Sequence, residues 1–345
     1  MARSKIMVQK IVKAFLLTAA LAAFTSTCTF AADAEPMRIA ALKGPTAMGM
    51  VQMMDAEDSA REFTIASAVD EIPPMIVKGS VDVAAVPANL ASVLYNNTEG
   101  AVEVLAINTL GVLYIVENGD SINSVEDLRG KTIYASGKGA TPEYALDYIL
   151  TGNGIDPSAD VTIEWKSEHA ECLAALLAAE NGVALLPQPF VTTAQMQNEG
   201  IRTALDLTQE WDALQEGSET PSALLTGVVI ARREYADTHP EEIGAFLADY
   251  EQSVAFVNDD TDAAAALVGK FEIVPEPVAK KALPACNIAF ISGEEMQQKL
   301  SGYLAVLAEQ NPAAVGGQLP ADDFYYLAGS AVEEAAQTEA ETEAE

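Results

Sequence analysis

The stretch TIYASGKGATPEYALDYIL, residues 132–150, changes period partway along. TIYAS is a β-branched and aromatic run of strand type, and GKGA is a turn whose glycines keep the backbone bare. Thr141 and Pro142 then read as N-cap and N1 of a helix with Ala145, Leu146, Ile149 and Leu150 on its buried face. Strand, glycine turn and helix in succession form the unit of a parallel α/β sheet. The unit occurs twice, because RIAALKGPT (38–46) also leaves a strand through Lys-Gly into a helix start. A second pair echoes the first: VDVAAVPAN (81–89) and GVALLPQPF (182–190) are apolar strands closed by proline. Ligands of open α/β sheets bind beyond the C-terminal ends of strands, so two such lobes place four loops around one crevice.

Working outward, strands and helices alternate from residue 36: MRIAAL, a helix over 46–54, EFTIAS, a helix over 72–78, VDVAAVP and a helix over 89–95. VEVLAINT and VLYIVE follow, and the polar GDSINSVEDLR (119–129) connects to the second unit. GVVIARREY then returns as a strand. It leads to a long helix carrying Ile243, Phe246, Leu247, Tyr250 and Val254 at three- and four-residue spacing. The organisation expected is a first lobe over 35–118, a second over 119–226, a return to the first lobe over 227–330, and an acidic tail over 331–345. That tail, EEAAQTEAETEAE from residue 333, has nothing to bury and is expected to be disordered.

The first 34 residues read as a cleavable export signal. Arg3, Lys5, Lys10 and Lys13 precede an apolar run over 14–24, too short to cross a bilayer, and small residues allow a cut after Ala31 or Ala34. A competing reading makes Cys28 a lipidated N-terminus, although Thr25 and Thr27 occupy positions where lipoprotein signals carry aliphatic and small residues. Location in a periplasm is expected, with lipid anchoring to the outer face of the cytoplasmic membrane through Cys28 as the alternative. The formal net charge of −32 repels nucleic acid and anionic lipid, and no nucleic-acid partner is expected. A small anion remains possible, since charges beyond a Debye length of about 8 Å are screened. Cys172 and Cys286 are expected as separate buried thiols.

Backbone N–H groups at the 137–141 turn would attract carboxylate, sulfonate or phosphate oxygens, and the near-copy at 43–46 suggests a shared ligand. Lys43 and Lys138 could each supply positive charge, and Asn89 is expected to cap its helix. Glu168, His169, Glu171 and Cys172 crowd together, but the pairs expected to face each other on a helix, Glu168 with Glu171 or Cys172, omit the histidine. With two histidines in the chain and no Cys-x-x-Cys or His-Glu-x-x-His, no metal is expected. Ser167 is expected to cap that helix, with His169 lining the crevice or simply exposed. No Gly-x-Ser-x-Gly, paired catalytic cysteine or P-loop is present, so no catalytic residue and no cofactor is assigned.

At DLRGKTIYASGKGATPEYALDYIL, SEHAECLAALLAAENGVALLPQPFVTTA and GVVIARREYADTHPEEIGAFLADYEQSVAFVNDD, the chain resembles substrate-binding proteins of nitrate, sulfonate and taurine ABC importers. It is also similar to their relatives that bind thiamine-precursor pyrimidines. The resemblance implies a type II periplasmic-binding-protein fold, two α/β lobes with two crossover strands at the hinge. It implies a monomer that hands a small solute to an ABC permease and its ATPase. By position it implies ligand contacts at Lys43, Gly44, Pro45 and Thr46, at Pro87, Ala88 and Asn89, and at Ser136, Gly137, Lys138, Gly139, Ala140 and Thr141. Gln188 and Pro189 complete the set, with His169 beside them. No arginine stands in these loops to clamp a sulfonate or nitrate, which leaves a neutral or zwitterionic organic solute open. The alternative is an enzyme on the same fold, similar to menaquinone-pathway dehydratases and lyases; those work in the cytoplasm, and the presequence argues against them.

Overall fold

The computed structural model describes residues 35–56, 60–218 and 222–327. The export signal, Cys28 and the acidic tail lie outside them. In chain order the strands are β1 (Met37–Leu42), β2 (Arg61–Ala66), β3 (Val83–Pro87), β4 (Val102–Leu110), β5 (Leu113–Asn118), β6 (Thr132–Ser136), β7 (Thr162–Lys166), β8 (Val183–Pro187), β9 (Ile201–Asp206), β10 (Leu225–Arg232) and β11 (Ile288–Ile291). The helices are α1 (Pro45–Met48), α2 (Val51–Asp55), α3 (Ile72–Val77), α4 (Ala88–Asn97), α5 (Thr141–Gly152), α6 (His169–Ala178), α7 (Phe190–Gln197), α8 (Leu207–Gln215), α9 (Arg233–Thr238), α10 (Pro240–Asp259), α11 (Thr261–Lys270), α12 (Glu276–Ala282) and α13 (Gly293–Gln310).

The strands make two mixed sheets, ordered β11-β4-β10-β3-β1-β2 and β7-β6-β8-β5-β9. β1 pairs in parallel with β2 and β3, and β6 in parallel with β7 and β8, as the repeated strand-turn-helix unit requires. β4 crosses directly into β5, and the second crossing returns from β9 and α8 into β10. β5 falls within the stretch read above as first lobe, yet it pairs with β8 and β9 of the second sheet. Its unbroken apolar run looks alike in either sheet; only the long-range partners decide.

Side-chain alternation divides the first sheet's packing. Ile39, Ala41, Val83 and Ala85 face Met48, Met50, Phe246 and Tyr250, whereas Ala40, Ala84 and Val86 join the cluster holding Leu300, Tyr303 and Leu304 of α13. Alanines on both faces of β1 and β3 let the helices approach closely. The helix expected over 46–54 breaks in two at Gly49. A β-carbon there would lie 3.0 Å from Tyr250 Oη and 3.2 Å from Val254 Cγ2, so α10 presses on the turn. Leu247 is only half-buried, unlike its apolar neighbours on α10.

Arg38 grips the buried Asp82 through Nε (2.9 Å) and Nη2 (2.7 Å), fastening β1 to the start of β3. Burial alone would raise the Asp82 carboxyl, but these bonds and the Arg232 charge hold it below the usual carboxylate range. The outer edge of β4 is covered in two pieces. β11 pairs with Ile107 and Thr109, and further along Tyr325 bridges Val104 while Tyr326 N–H donates to Val104 O (2.9 Å). Arg233 ties this terminal strap down, donating to Asp323 O and to Gly100 O (both 2.7 Å). Cys172 and Cys286 are free and buried, and burial pushes the Cys286 thiol up to about 12.

Candidate functional site

The strand registers locate the site. Gly227, at the start of β10, pairs with Pro87 at the end of β3, and Leu225 pairs with Leu110 at the end of β4. In the second sheet Leu113, at the start of β5, pairs with Pro187 at the end of β8, and Tyr114 with Asp206 at the end of β9. Both sheets therefore point the C-terminal ends of their parallel strands, β1 and β3 on one side and β6 and β8 on the other, at the same crossing. Gln188 N–H donates to Val112 O (3.0 Å), and Asn287 Nδ2 donates to Gly111 O (2.5 Å), fixing the crossing backbone. A β-carbon on Gly111 would stand 2.2 Å from Thr208 Oγ1, so only glycine passes there.

On the first lobe, Lys43 is exposed and its N–H donates to Ala66 O (2.8 Å). Gly44 is buried at φ +129, a conformation that admits glycine alone. Pro45 opens α1. The Thr46 hydroxyl turns back on Leu42 O (2.7 Å), and Thr46 O accepts from Asn108 Nδ2 (3.1 Å). Pro87 is half-buried and Ala88 fully buried. Asn89 does not cap α4, which starts at Ala88; its amide donates to Ala314 O (3.3 Å), tying α4 to the return segment.

On the second lobe, Ser136 Oγ lies 2.6 Å from His169 Nδ1, and the imidazole packs 5.2 Å from the Phe190 ring. Burial lowers the His169 pKa, so the ring is neutral at pH 7. The thiol of Cys172, one turn along α6, is pushed up by burial, and the Ser136 hydroxyl opposes the shift. The histidine and Cys172 therefore share a face after all, being three residues apart. α6 starts at His169 with Glu168 as N-cap, and Ser167 contributes only its N–H, which donates to Glu171 Oε2 (3.0 Å). Gly137 (φ +85) and Gly139 (φ +78) shape the turn; a β-carbon on Gly137 would meet Pro142 Cγ at 2.8 Å. Lys138 is exposed, and Gly139 N–H donates to Glu143 Oε2 (2.5 Å). The N-cap of α5 is Ala140, one residue before the position expected, because its extended backbone already supplies the carbonyl accepting from Glu143 and Tyr144. Thr141 is thus N1, its hydroxyl 2.9 Å from Tyr303 Oη. Gln188 Oε1 accepts from Thr192 Oγ1 (2.9 Å) and Thr192 N–H (3.3 Å) in the first turn of α7, whose N-cap, Pro189, is half-buried.

Ser136 and His169 are thus bonded to one another, whereas Lys43 and Lys138 reach into solvent with no ion pair among the described residues. Each arginine of the described residues is paired with a carboxylate: Arg38 and Arg232 with Asp82, Arg61 with Asp249, Arg129 with Asp160, Arg202 with Glu117, and Arg233 with Glu103. Among the described residues no cluster of three or more His, Cys, Asp or Glu could hold a metal. A groove of about 310 Å³ lined by Glu294, Gln298, Ser301, Asp322 and Tyr325 includes none of the loop residues and offers no cation.

Sequence reasoning missed the buried Asn108 and Thr109 of the crossing strand, the buried and unpartnered hydroxyls of Thr208 and Thr226, and Tyr303. The polar pair Asn-Thr inside the apolar run VEVLAINTL was a visible signal for the first two.

The sequence signature of the family described as "ABC transporter, phosphonate, periplasmic substrate-binding protein" matches residues 32–275. No curated protein matches. Among solved structures, an ABC transporter protein from Parabacteroides distasonis superposes with a TM-score of 0.72 at 19% identity, covering 85% of this chain and 99% of its own. The periplasmic aliphatic sulphonate binding protein SsuA from Escherichia coli gives 0.65 at 19% identity, covering 85% and 92%. A putative periplasmic sulfonate-binding protein from Methylobacillus flagellatus gives 0.62 at 18%, covering 88% and 94%. At these identities the likeness is one of fold, that of periplasmic binding proteins.

Proposed function

We infer the function of this chain from its family: it belongs to the phosphonate periplasmic substrate-binding proteins of ABC transporters. It is a solute receptor of an ABC importer. We propose that its solute is a small organic oxyanion of phosphonate type, enclosed at the crossing of the two sheets. The observation that carries this reading is the register that aims the ends of β1, β3, β6 and β8 at one crossing.

The chemistry available there is neutral donors plus lysine. With no arginine free among the described residues, oxyanion oxygens would be met by the N–H groups of the 137–141 turn not already bonded, by the Thr141 hydroxyl and by His169 Nε2–H, with Ser136 spending its proton on the histidine. The proton of neutral His169 stands on Nε2 when Nδ1 accepts from Ser136. Lys43 and Lys138, one from each lobe, add charge as the lobes close. Closure on solute then presents both lobes to the permease and its ATPase, with the receptor acting as a monomer. Residues 1–34 serve as its export signal, and Cys28 offers the alternative of a lipid anchor. Catalysis is not part of this reading. Among the described residues no carboxylate orients Ser136 and His169, and the serine meets Nδ1, leaving no base relayed to a third group.

Native mass spectrometry of the purified protein identifies any co-purifying solute, and calorimetry with methylphosphonate, methanesulfonate and inorganic phosphate ranks the oxyanions. The double variant Gly139→Val, Thr141→Ala is expected to abolish methylphosphonate binding while remaining folded. Unchanged affinity in a folded double variant refutes the loop assignment.

A further inference from the structure

Thr141 stands where the 137–140 loop becomes α5, and its hydroxyl bond to Tyr303 Oη (2.9 Å) is buried. Tyr303 comes from the middle of α13, which packs against β4 and α4 of the first lobe and touches α5 of the second, its Met296, Leu300, Leu304 and Leu307 in a core cluster that spans both sheets. The Trp211 ring lies 5.9 Å from Tyr303 and 4.2 Å from Tyr148, closing the contact on the second-lobe side. Further along, Gln310 Nε2 donates to Tyr144 O (3.2 Å) and Asn311 Nδ2 to Tyr144 Oη (3.1 Å). Three hydrogen bonds therefore reach the first turn of α5, two from α13 and one from its C-cap Asn311.

Burial raises the Tyr303 phenol far above its ordinary value, so it stays protonated. A hydroxyl has one proton and two acceptor sites. When Tyr303 donates to Thr141 Oγ1, the proton of Thr141 remains for an acceptor in the crevice.

We propose that Tyr303 is a positioning residue for solute capture: through Thr141 it holds the 137–141 turn, so the second lobe's ligand loop is braced by the first lobe's helix. The inference rests on the loop assignment proposed above. It makes α13 part of the capture machinery, since solute drawn onto the turn is drawn equally onto the brace.

The test compares the full mature chain with its Tyr303→Phe variant, by hydrogen exchange without added solute and by calorimetry with methylphosphonate. Loss of one buried bond leaves the Thr141 hydroxyl orphaned. Amides of residues 137–144 are expected to exchange about tenfold faster while those of β1 and β3 are unchanged. Methylphosphonate affinity is expected to fall about fivefold, the loss of part of one hydrogen bond. In the double variant Tyr303→Phe, Thr141→Val neither side is left unpaired. Its thermal midpoint is expected to return toward that of the parent. Tyr303→Phe is expected to add no further loss of methylphosphonate affinity to that of Thr141→Val alone, whereas an effect not routed through Thr141 would add to it. Parental exchange rates in Tyr303→Phe, or a further affinity loss on adding Tyr303→Phe to Thr141→Val, overturn the proposal. Failure of the parent to bind methylphosphonate refutes the phosphonate reading alone, because the exchange measurement decides on Tyr303 without solute.

Discussion

Glu103 is the acid whose removal should strengthen this protein. It lies on β4, 6% exposed, beneath the terminal strap, with Arg233 Nη1 at 3.7 Å and with Asp237, Asp323 and Tyr326 as the other groups near enough to feel its charge. Burial raises its pKa from 4.5 to about 7, Arg233 opposes the rise, and Asp237 and Asp323 reinforce it. A carboxyl with a raised folded-state pKa favours the fold when protonated, so its contribution is complete below pH 4.5 and is lost as pH rises through about 7. At about 1.4 kcal/mol for each tenfold change in acidity constant, ionisation on going to pH 8 removes about 3 kcal/mol. Glu103→Gln keeps the shape and removes the charge, and Arg233 retains its bonds to Asp323 O and Gly100 O. Urea unfolding of parent and variant at pH 5 and pH 8 measures the difference. The variant is expected to gain up to about 3 kcal/mol over the parent at pH 8. At pH 5 the two should nearly coincide. Equal pH slopes for both proteins would refute the reasoning.

Two other predictions concern the site and its frame. Glu143→Gln removes the carboxylate that occupies the Gly139 N–H. Methylphosphonate affinity should rise several-fold by calorimetry, and the Asp147 carboxyl, held at about 6 by burial and then by Glu143, should titrate lower by NMR. Arg38→Met strips the main partner from buried Asp82 and should cost about 3 kcal/mol in urea unfolding at pH 7, less at pH 3 where the carboxyl protonates.

The parallel units were legible because their signals are local. Alternating apolar positions, the Lys-Gly turns and the proline-closed strands each lie within a dozen residues, and the strand registers turn the ends of β1, β3, β6 and β8 toward one crossing. What escaped was set by distance along the chain. Thr141 looked like a free capping hydroxyl, but its partner is 162 residues away. Asn89 looked like a cap, and its amide instead joins a segment 225 residues on. The arginine argument from the sequence covered only the loops. The structure extends it, since carboxylates engage the described arginines elsewhere as well, and this shifts the weight of oxyanion recognition onto hydroxyls, backbone N–H groups and two lysines. The resemblance named sulfonate, nitrate and taurine importers, and the family signature is the phosphonate one; both are substrate-binding proteins of ABC importers.

The two-piece cover on β4 bears on the order in which the molecule is made. The strand emerges early in synthesis, while the segments that seal its outer edge, β11 and the strap at Tyr325 and Tyr326, come last. Until then its unpaired N–H and C=O groups form an open edge that other chains can extend into aggregates. A nascent chain halted short of Tyr326 is consequently a hazard rather than a smaller receptor. The first sheet can finish folding only after nearly the whole polypeptide is available.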